Sequence, residues 1–177
     1  MVTKSLVKLI DEAIIPAVAL IFGKMAGLFL AIYFLELPFT IKSGEILWVL
    51  PSVHFQNLTD YIVAENYSNL EMFVIASCGT IFVLVRAHFF HESHIHPRLH
   101  AKLVSLNLEG LIAPTYHLYH QAMIWLIFLW LSVGFLTISS IFKITYPQIA
   151  IIAFVIAANF SWVLAVDIEK EVEIARS

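Results

Sequence analysis

The residues best suited to chemistry in this 177-residue chain are its histidines, seven of which lie between positions 88 and 120. Two groups in this segment repeat one spacing: His88, His91 and Glu92, then His117, His120 and Gln121. Side chains at positions i, i+3 and i+4 share one face of a helix. Imidazole suits Zn, Cu and Fe, and ligands on facing helices form the metal sites of helical bundles. The spacing therefore predicts a site for a transition metal (Zn, Fe or Cu) or for haem.

The predicted ligands are His88, His91, Glu92, His117 and His120, with Glu92 as a fifth ligand or a base. Haem ligation by two histidines would need only one imidazole from each helix. Two alternatives use the same histidines: a proton-linked switch, since histidine titrates near neutral pH, and anchoring at the membrane interface. The remaining histidines are expected on the surface or in structural roles: His54, His94, His96 and His100.

Composition indicates an integral membrane protein. The residues are 60% hydrophobic and 13% charged, with a mean hydropathy of +0.88, whereas soluble domains are about 25% charged. A net charge of −3 without a long basic run argues against nucleic acid as a partner. The one cysteine, Cys78, excludes a disulfide framework and a cysteine-based zinc site. No cleavable signal peptide is evident, so we expect the membrane spans to direct targeting.

Four apolar runs are long enough to cross a lipid bilayer, which takes about 20 residues of helix. They cover residues 13–37, 70–90, 117–142 and 147–166. We therefore predict an all-α fold, an integral membrane four-helix bundle that forms a single transmembrane domain. The segment 38–69 is predicted to be a connecting loop. A short amphipathic interfacial helix, begun by Pro97 and stopped by Gly110, is predicted over residues 97–109, between spans two and three.

The basic residues predict the orientation of the spans. Four spans place both termini on one side of the membrane, together with the histidine-rich connection. Seven basic residues lie on that side: Lys4, Lys8, Arg86, Arg98, Lys102, Lys170 and Arg176. The opposite side has Lys42 and Lys143. Lysine and arginine are enriched in cytoplasmic loops, so the protein is predicted to be N-in/C-in, with both termini cytoplasmic.

The first apolar run contains a signal for close helix packing and a charge. Gly23 and Gly27 form a G-x-x-x-G pair, which lets another helix approach closely. Lys24 lies beside these glycines, and we expect it to face protein, because a lysine in contact with lipid tails is costly. The alternative is that the span begins at Met25 and that Lys24 marks its edge, with its amine reaching the headgroups.

Three functional classes stay open from the sequence. The first is a membrane metalloprotein or haem protein with its site at the cytoplasmic ends of spans two and three; the reaction is not identified. The second is a non-catalytic subunit or scaffold that docks other helices or a second copy through a seam of small residues: Ala153, Ala157, Ser161 and Ala165. The third is a proton- or cation-linked pore or transporter with Lys24 and Arg86 as fixed charges. Nucleophilic catalysis has no support, since neither G-x-S-x-G nor H-E-x-x-H occurs.

Overall fold

The computed structural model describes residues 2–46, 50–90 and 95–176 of the chain. These residues form five α-helices: α1 (Val2–Phe34), α2 (Leu58–Phe89), α3 (Pro97–Ser105), α4 (Thr115–Ile141) and α5 (Pro147–Arg176). Between α1 and α2 lies an antiparallel β-hairpin of strands β1 (Phe39–Ile46) and β2 (Leu50–Phe55). We call the end of the molecule with this hairpin the hairpin face. The opposite end, where α1 begins and α5 ends, is the terminal face.

Four of the described helices are long and apolar enough to cross a membrane: Ile10–Phe34, Leu58–Phe89, Thr115–Ile141 and Pro147–Glu173. Their outward-facing side chains are large and apolar; Ile15 is 68% exposed and Phe22 is 64% exposed. Soluble monomers rarely expose a continuous apolar surface of this kind. The four helices fit an integral, multi-pass membrane protein, and their apolar surface is compatible with contact to the lipid bilayer.

The predicted loop over residues 38–69 is wrong. Its first part is the β-hairpin, in which Phe39 lies opposite Phe55, so the fold is not purely α-helical. Its second part is the beginning of α2, which starts at Leu58 rather than at residue 70. Polar side chains lower the hydropathy of these first turns. Glu65, Ser68 and Asn69 are nevertheless compatible with a spanning helix, because α1 and α4 supply their hydrogen-bond partners.

Consecutive long helices pack antiparallel to one another. Near the hairpin face, the Nδ2 group of Asn69 on α2 donates to the hydroxyl of Ser139 on α4, at 3.0 Å. Nearer the terminal face, the hydroxyl of Thr80 on α2 lies 3.4 Å from the carbonyl oxygen of Trp125 on α4. The core is formed by apolar side chains of all four helices: Leu20, Met72, Phe73, Leu129, Val133, Leu136 and Ala153.

The glycine pair of α1 brings the backbones of α1 and α2 together. A Cβ atom built on Gly27 would lie 2.7 Å from the carbonyl oxygen of Tyr67 and 2.8 Å from the Cα atom of Ser68. A Cβ atom on Gly23 would lie 3.0 Å from the Cα atom of Met72. The predicted close approach at G-x-x-x-G is confirmed, and the helix that approaches belongs to the same chain.

The small-residue seam of α5 is used inside the chain, and docking of a partner through it stays a prediction. Ala153 and Ala157 are 1% and 0% exposed in the core. The hydroxyl of Ser161 accepts a hydrogen bond from the indole N–H of Trp130 on α4, at 3.0 Å. Only Ala165 of the four is exposed. The seam therefore packs α5 against its own chain and leaves little small-residue surface for another helix.

The predicted short helix between spans two and three is α3, and it ends earlier than expected. Pro97 occupies its first turn, as predicted, and the His96 ring accepts a hydrogen bond from the backbone N–H of Arg98. The helix stops at Ser105 because Asn107 adopts a left-handed conformation, with φ of 56°. Asparagine tolerates this conformation better than most residues. The prediction that Gly110 ends the helix is wrong.

Gly27→Ala should separate α1 from α2, because the added methyl group meets backbone atoms that cannot rotate away. We expect the free energy of unfolding in detergent to fall by about 1–3 kcal/mol, measured by tryptophan fluorescence during denaturation. Gly134→Ala is the matched control, since a Cβ atom at that helical position meets nothing within 4 Å. Equal stability of the two variants would contradict the close helix contact.

Candidate functional site at the terminal face

The Glu12 carboxylate of α1 contacts two of the predicted histidines, His117 and His120. Glu12 lies in the first part of α1, and its side chain is 10% exposed. Its Oε2 atom is 2.5 Å from Nδ1 of His120, and its Oε1 atom is 3.1 Å from Nδ1 of His117. The two rings stand one helical turn apart on α4, so both reach the same acidic group. The contact joins α1 to α4 across the terminal face.

The orientation of His117 is fixed from its other side. Arginine only donates hydrogen bonds, so Gln121 turns its Oε1 atom toward Nη1 of Arg86, at 3.3 Å. The amide nitrogen of Gln121 then points at Nε2 of His117, at 3.2 Å. That ring nitrogen faces a donor, and the other, Nδ1, lies toward Glu12 at ion-pair distance but outside hydrogen-bond geometry.

Arg86 itself is held by the connection that precedes α4. Its Nε atom donates to the carbonyl oxygen of Leu111 at 2.8 Å, and its Nη2 atom lies 3.3 Å from that of Gly110. The backbone of a short connection therefore fixes the guanidinium, which in turn orients Gln121. This gives the site an ordered chain of donors and acceptors that runs from α2 through α4 to α1.

A second carboxylate lies close by on α5. The Oδ1 atom of Asp167 is 2.7 Å from Nδ1 of His88, and its Oδ2 atom accepts from the hydroxyl of Tyr119 at 2.8 Å. The side chain of His88 is 55% exposed, whereas that of Asp167 is 16% exposed. Tyr119 and His120 are consecutive on α4, so the two carboxylate groups lie at the same end of the bundle. We name their members together the terminal-face cluster: Glu12, Arg86, His88, His117, Tyr119, His120, Gln121 and Asp167.

The structure brings only part of the predicted ligand set together. His117 and His120 converge on Glu12, whereas His88 has its own partner in Asp167. His91 and Glu92 lie outside the described residues. Over residues 2–46, 50–90 and 95–176, no group of three or more histidine, cysteine, aspartate or glutamate side chains is arranged to hold a metal ion. The described histidines of that set, His88, His117 and His120, are instead paired with carboxylates.

Comparisons of the chain with protein-family models, with curated proteins and with solved structures found no match. A function therefore has to be inferred from the side chains themselves. The terminal-face cluster places three imidazoles beside carboxylates. All four spanning helices contribute a group to it, so its contacts join helices that are far apart in the sequence.

Sequence reasoning missed the two acidic partners, Glu12 and Asp167. Each stands at the terminal-face end of an apolar run, where it looked like a flanking surface charge. Glu12 is 108 residues from His120, and Asp167 is 79 residues from His88. One signal in the sequence could have identified them, namely their depth in the membrane. The ends of helices that cross the same membrane lie at the same depth. Acidic residues at those ends can therefore contact histidines at the ends of other spans.

A second polar contact lies deeper in the spans, toward the hairpin face. The amine of Lys24 is 2.6 Å from Oε1 of Glu65 and 2.9 Å from Oδ1 of Asn69, both on α2. The amide of Asn69 continues to Ser139 on α4, as described above. Lys24 therefore faces protein, as expected, and its charge is matched within the chain.

Removing one member of the Lys24–Glu65 pair should destabilise the protein more than removing both. Lys24→Met leaves an unmatched carboxylate among apolar helices, and we expect it to cost about 3 kcal/mol of unfolding free energy. The double variant Lys24→Met/Glu65→Met should recover part of that loss, because no charge is left unpaired. Unfolding in detergent measures both effects, with Lys102→Met, at an exposed position of α3, as a lysine control. Additive losses in the double variant would refute the coupling.

Proposed function

We propose that this protein is a proton-linked membrane carrier or pore, built as a four-helix bundle, in which the terminal-face cluster binds and releases protons. The observation that carries the proposal is the sharing of the Glu12 carboxylate by two imidazoles of α4. Ionisable groups within spanning helices are costly, and they mark ion and proton pathways more often than structure. In this chain they occur at two levels, the terminal-face cluster and the Lys24–Glu65 pair.

The proposal includes an orientation in which both termini and the terminal face are cytoplasmic. It is supported by the excess of basic residues at that end, which favours the cytoplasmic side of a membrane. The same end carries α3, whose Arg98 and Lys102 are exposed and suited to the headgroups of anionic lipids. With this orientation, the cluster receives protons from the cytoplasm.

The chemistry expected of the cluster follows from the hydrogen bonds of its rings. Arg86 and Gln121 fix the orientation of His117, whereas His120 is hydrogen-bonded directly to Glu12, so we propose His120 as the ring that exchanges a proton. A charged imidazole holds the carboxylate more strongly than a neutral one, since hydrogen bonds between charged groups are the stronger kind. Proton binding therefore strengthens the contact between α1 and α4, and proton release weakens it. We propose that this change in contact is linked to passage of a proton or small cation.

Proton flux into liposomes that contain the purified protein tests the proposal. Wild-type protein should collapse an imposed pH gradient, reported by a trapped pH-sensitive dye. His120→Asn keeps an N–H group near the position of Nδ1 but does not titrate, and Glu12→Gln removes the charge. Both variants should slow the flux at least about tenfold, within the range that proton-transfer groups contribute.

His100→Asn serves as the control for this experiment, because His100 is exposed on α3. It should keep the wild-type rate. Liposomes without protein give the passive leak, and far-ultraviolet circular dichroism checks that each variant is folded. A flux that is unchanged in both His120→Asn and Glu12→Gln would refute the proton-linked role of the cluster.

A metal or haem site is the alternative that the sequence suggested. His117 and His120 contact Glu12 directly, and the described residues contain no group arranged to bind a metal ion, so this alternative rests on the sequence pattern that also includes His91 and Glu92. Metal analysis and visible absorbance of the wild type beside the double variant His91→Ala/His120→Ala separate the candidates. A proton-linked cluster predicts a colourless protein with metal well below one ion per chain. Stoichiometric metal or haem absorbance that the double variant loses would favour the metal site.

A further inference from the structure

An open groove between α2 and α5, on the outer apolar surface of the bundle, has no role in the proton-linked function. Its volume is about 410 Å³. Most of its lining is apolar, and its more polar groups are Ser77 and Cys78 on α2 and Asn159 on α5. Cys78 and Asn159 are exposed. Both side chains therefore face whatever surrounds the protein, which is either lipid or another chain.

The groove lies near the middle of the spanning segments. Asn159 is close to the centre of the span Pro147–Glu173. It is about two helical turns from Asp167, which contacts His88 at the terminal face, and about three turns from the beginning of α5. At this depth a membrane contains lipid tails, which neither donate nor accept hydrogen bonds. An exposed amide here needs a polar partner from protein.

The amide of Asn159 is only partly satisfied within the chain. One N–H of its Nδ2 group donates to the carbonyl oxygen of Val155, one turn earlier on α5, at 2.7 Å. Its Oδ1 atom and its other N–H have no hydrogen-bond partner among the residues that the structure describes. A polar group without a partner in an apolar medium costs free energy, and asparagine in spanning helices bonds to other helices. The groove thus presents one acceptor and one donor that lipid leaves unpaired.

We propose that a second copy of this chain covers the groove, with the two Asn159 amides paired across a two-fold axis. An amide carries both a donor and an acceptor, so it is complementary to itself. A two-fold interface places a residue on the axis against its own counterpart. Two copies inserted in the same orientation have Asn159 at the same depth, whereas an unrelated helix would need a polar group of its own there. A lipid tail can fill the groove but leaves both amides unpaired.

The apolar surface around Asn159 suits contact with another helix. Val155 and Val163 lie one turn to either side of it on α5, and both are exposed. Across the groove on α2, Val74 and Ile81 are exposed as well. Association of helices in lipid is driven by packing of side chains together with hydrogen bonds between helices. Side chains of the second copy would pack into the groove while the two amides meet at its centre.

Cysteine crosslinking in liposomes tests where the copies meet. Cys78 is the one cysteine of the chain and lines the groove, so oxidation with copper phenanthroline should join two wild-type chains in a covalent dimer. The control carries the cysteine on α1 instead, as Val18→Cys in a Cys78→Ser background, and should give little dimer. Val18 is exposed on a helix that does not line the groove. It lies at about the depth of Ser77, since Gly23 approaches Met72 and α1 and α2 are antiparallel.

Energy transfer between donor-labelled and acceptor-labelled chains measures the strength of association as the ratio of lipid to protein is raised. The dyes are attached to Leu58→Cys in a Cys78→Ser background, because Leu58 is exposed at the hairpin face, away from the groove. In this background Asn159→Leu should weaken association at least about fivefold, as expected when a hydrogen bond between helices is lost. Asn159→Gln keeps the amide and should retain association. Val18→Leu, an exposed change on α1, should have no effect.

The proposal is overturned if the labelled chain with Asn159 intact stays monomeric at every lipid ratio, which would mean that lipid covers the groove. It is also overturned if Asn159→Leu associates as strongly as that chain, or if the Val18→Cys control crosslinks as readily as the wild type. Asn159→Leu places an apolar side chain at an exposed position of a spanning helix, so we expect it to fold. Far-ultraviolet circular dichroism checks this for each variant.

Discussion

A charged or polar side chain inside a spanning helix needs a partner from another helix, because lipid tails supply none. This constraint accounts for the polar contacts between spanning helices described above. Lys24 of α1 meets Glu65 of α2, and Asn69 continues the contact to α4. At the terminal face, Glu12 of α1 meets His120 of α4 by the same rule. The packing of small residues then only has to bring helices close enough for these groups to meet.

The spanning helices could be predicted from the sequence, and their partners could not. Runs of apolar residues reveal which segments cross a membrane, and the third span was placed within two residues of α4. The spacing of His117 and His120 correctly placed both rings on one side of a helix. Pairing across helices is different, because it depends on depth in the membrane and on rotation about each helix axis. The local sequence determines neither the depth nor the rotation, so the contact of Glu12 with the histidines was not predicted.

The hairpin and the early start of α2 were missed for a related reason. Hydropathy reports how a segment partitions on its own, whereas α2 is stabilised in its first turns by contacts from other helices. Asn69 is 0% exposed and hydrogen-bonded on both sides, so its polarity does not break the helix. The α5 seam shows a different limit, because its contact residues were recognised but their partner helix was not. Ala153 and Ala157 were correctly recognised as contact residues, but small size does not tell whether the contacting helix belongs to the same chain.

The hydrogen bonds around Gln121 make two chemically identical rings of α4 inequivalent. Arginine stays charged at every physiological pH, so the amide orientation that it selects does not reverse when the solution becomes more acidic. The far ring nitrogen of His117 therefore always faces an N–H donor. The two imidazoles that approach one carboxylate thus stand in different surroundings, and an uncharged amide sets the difference.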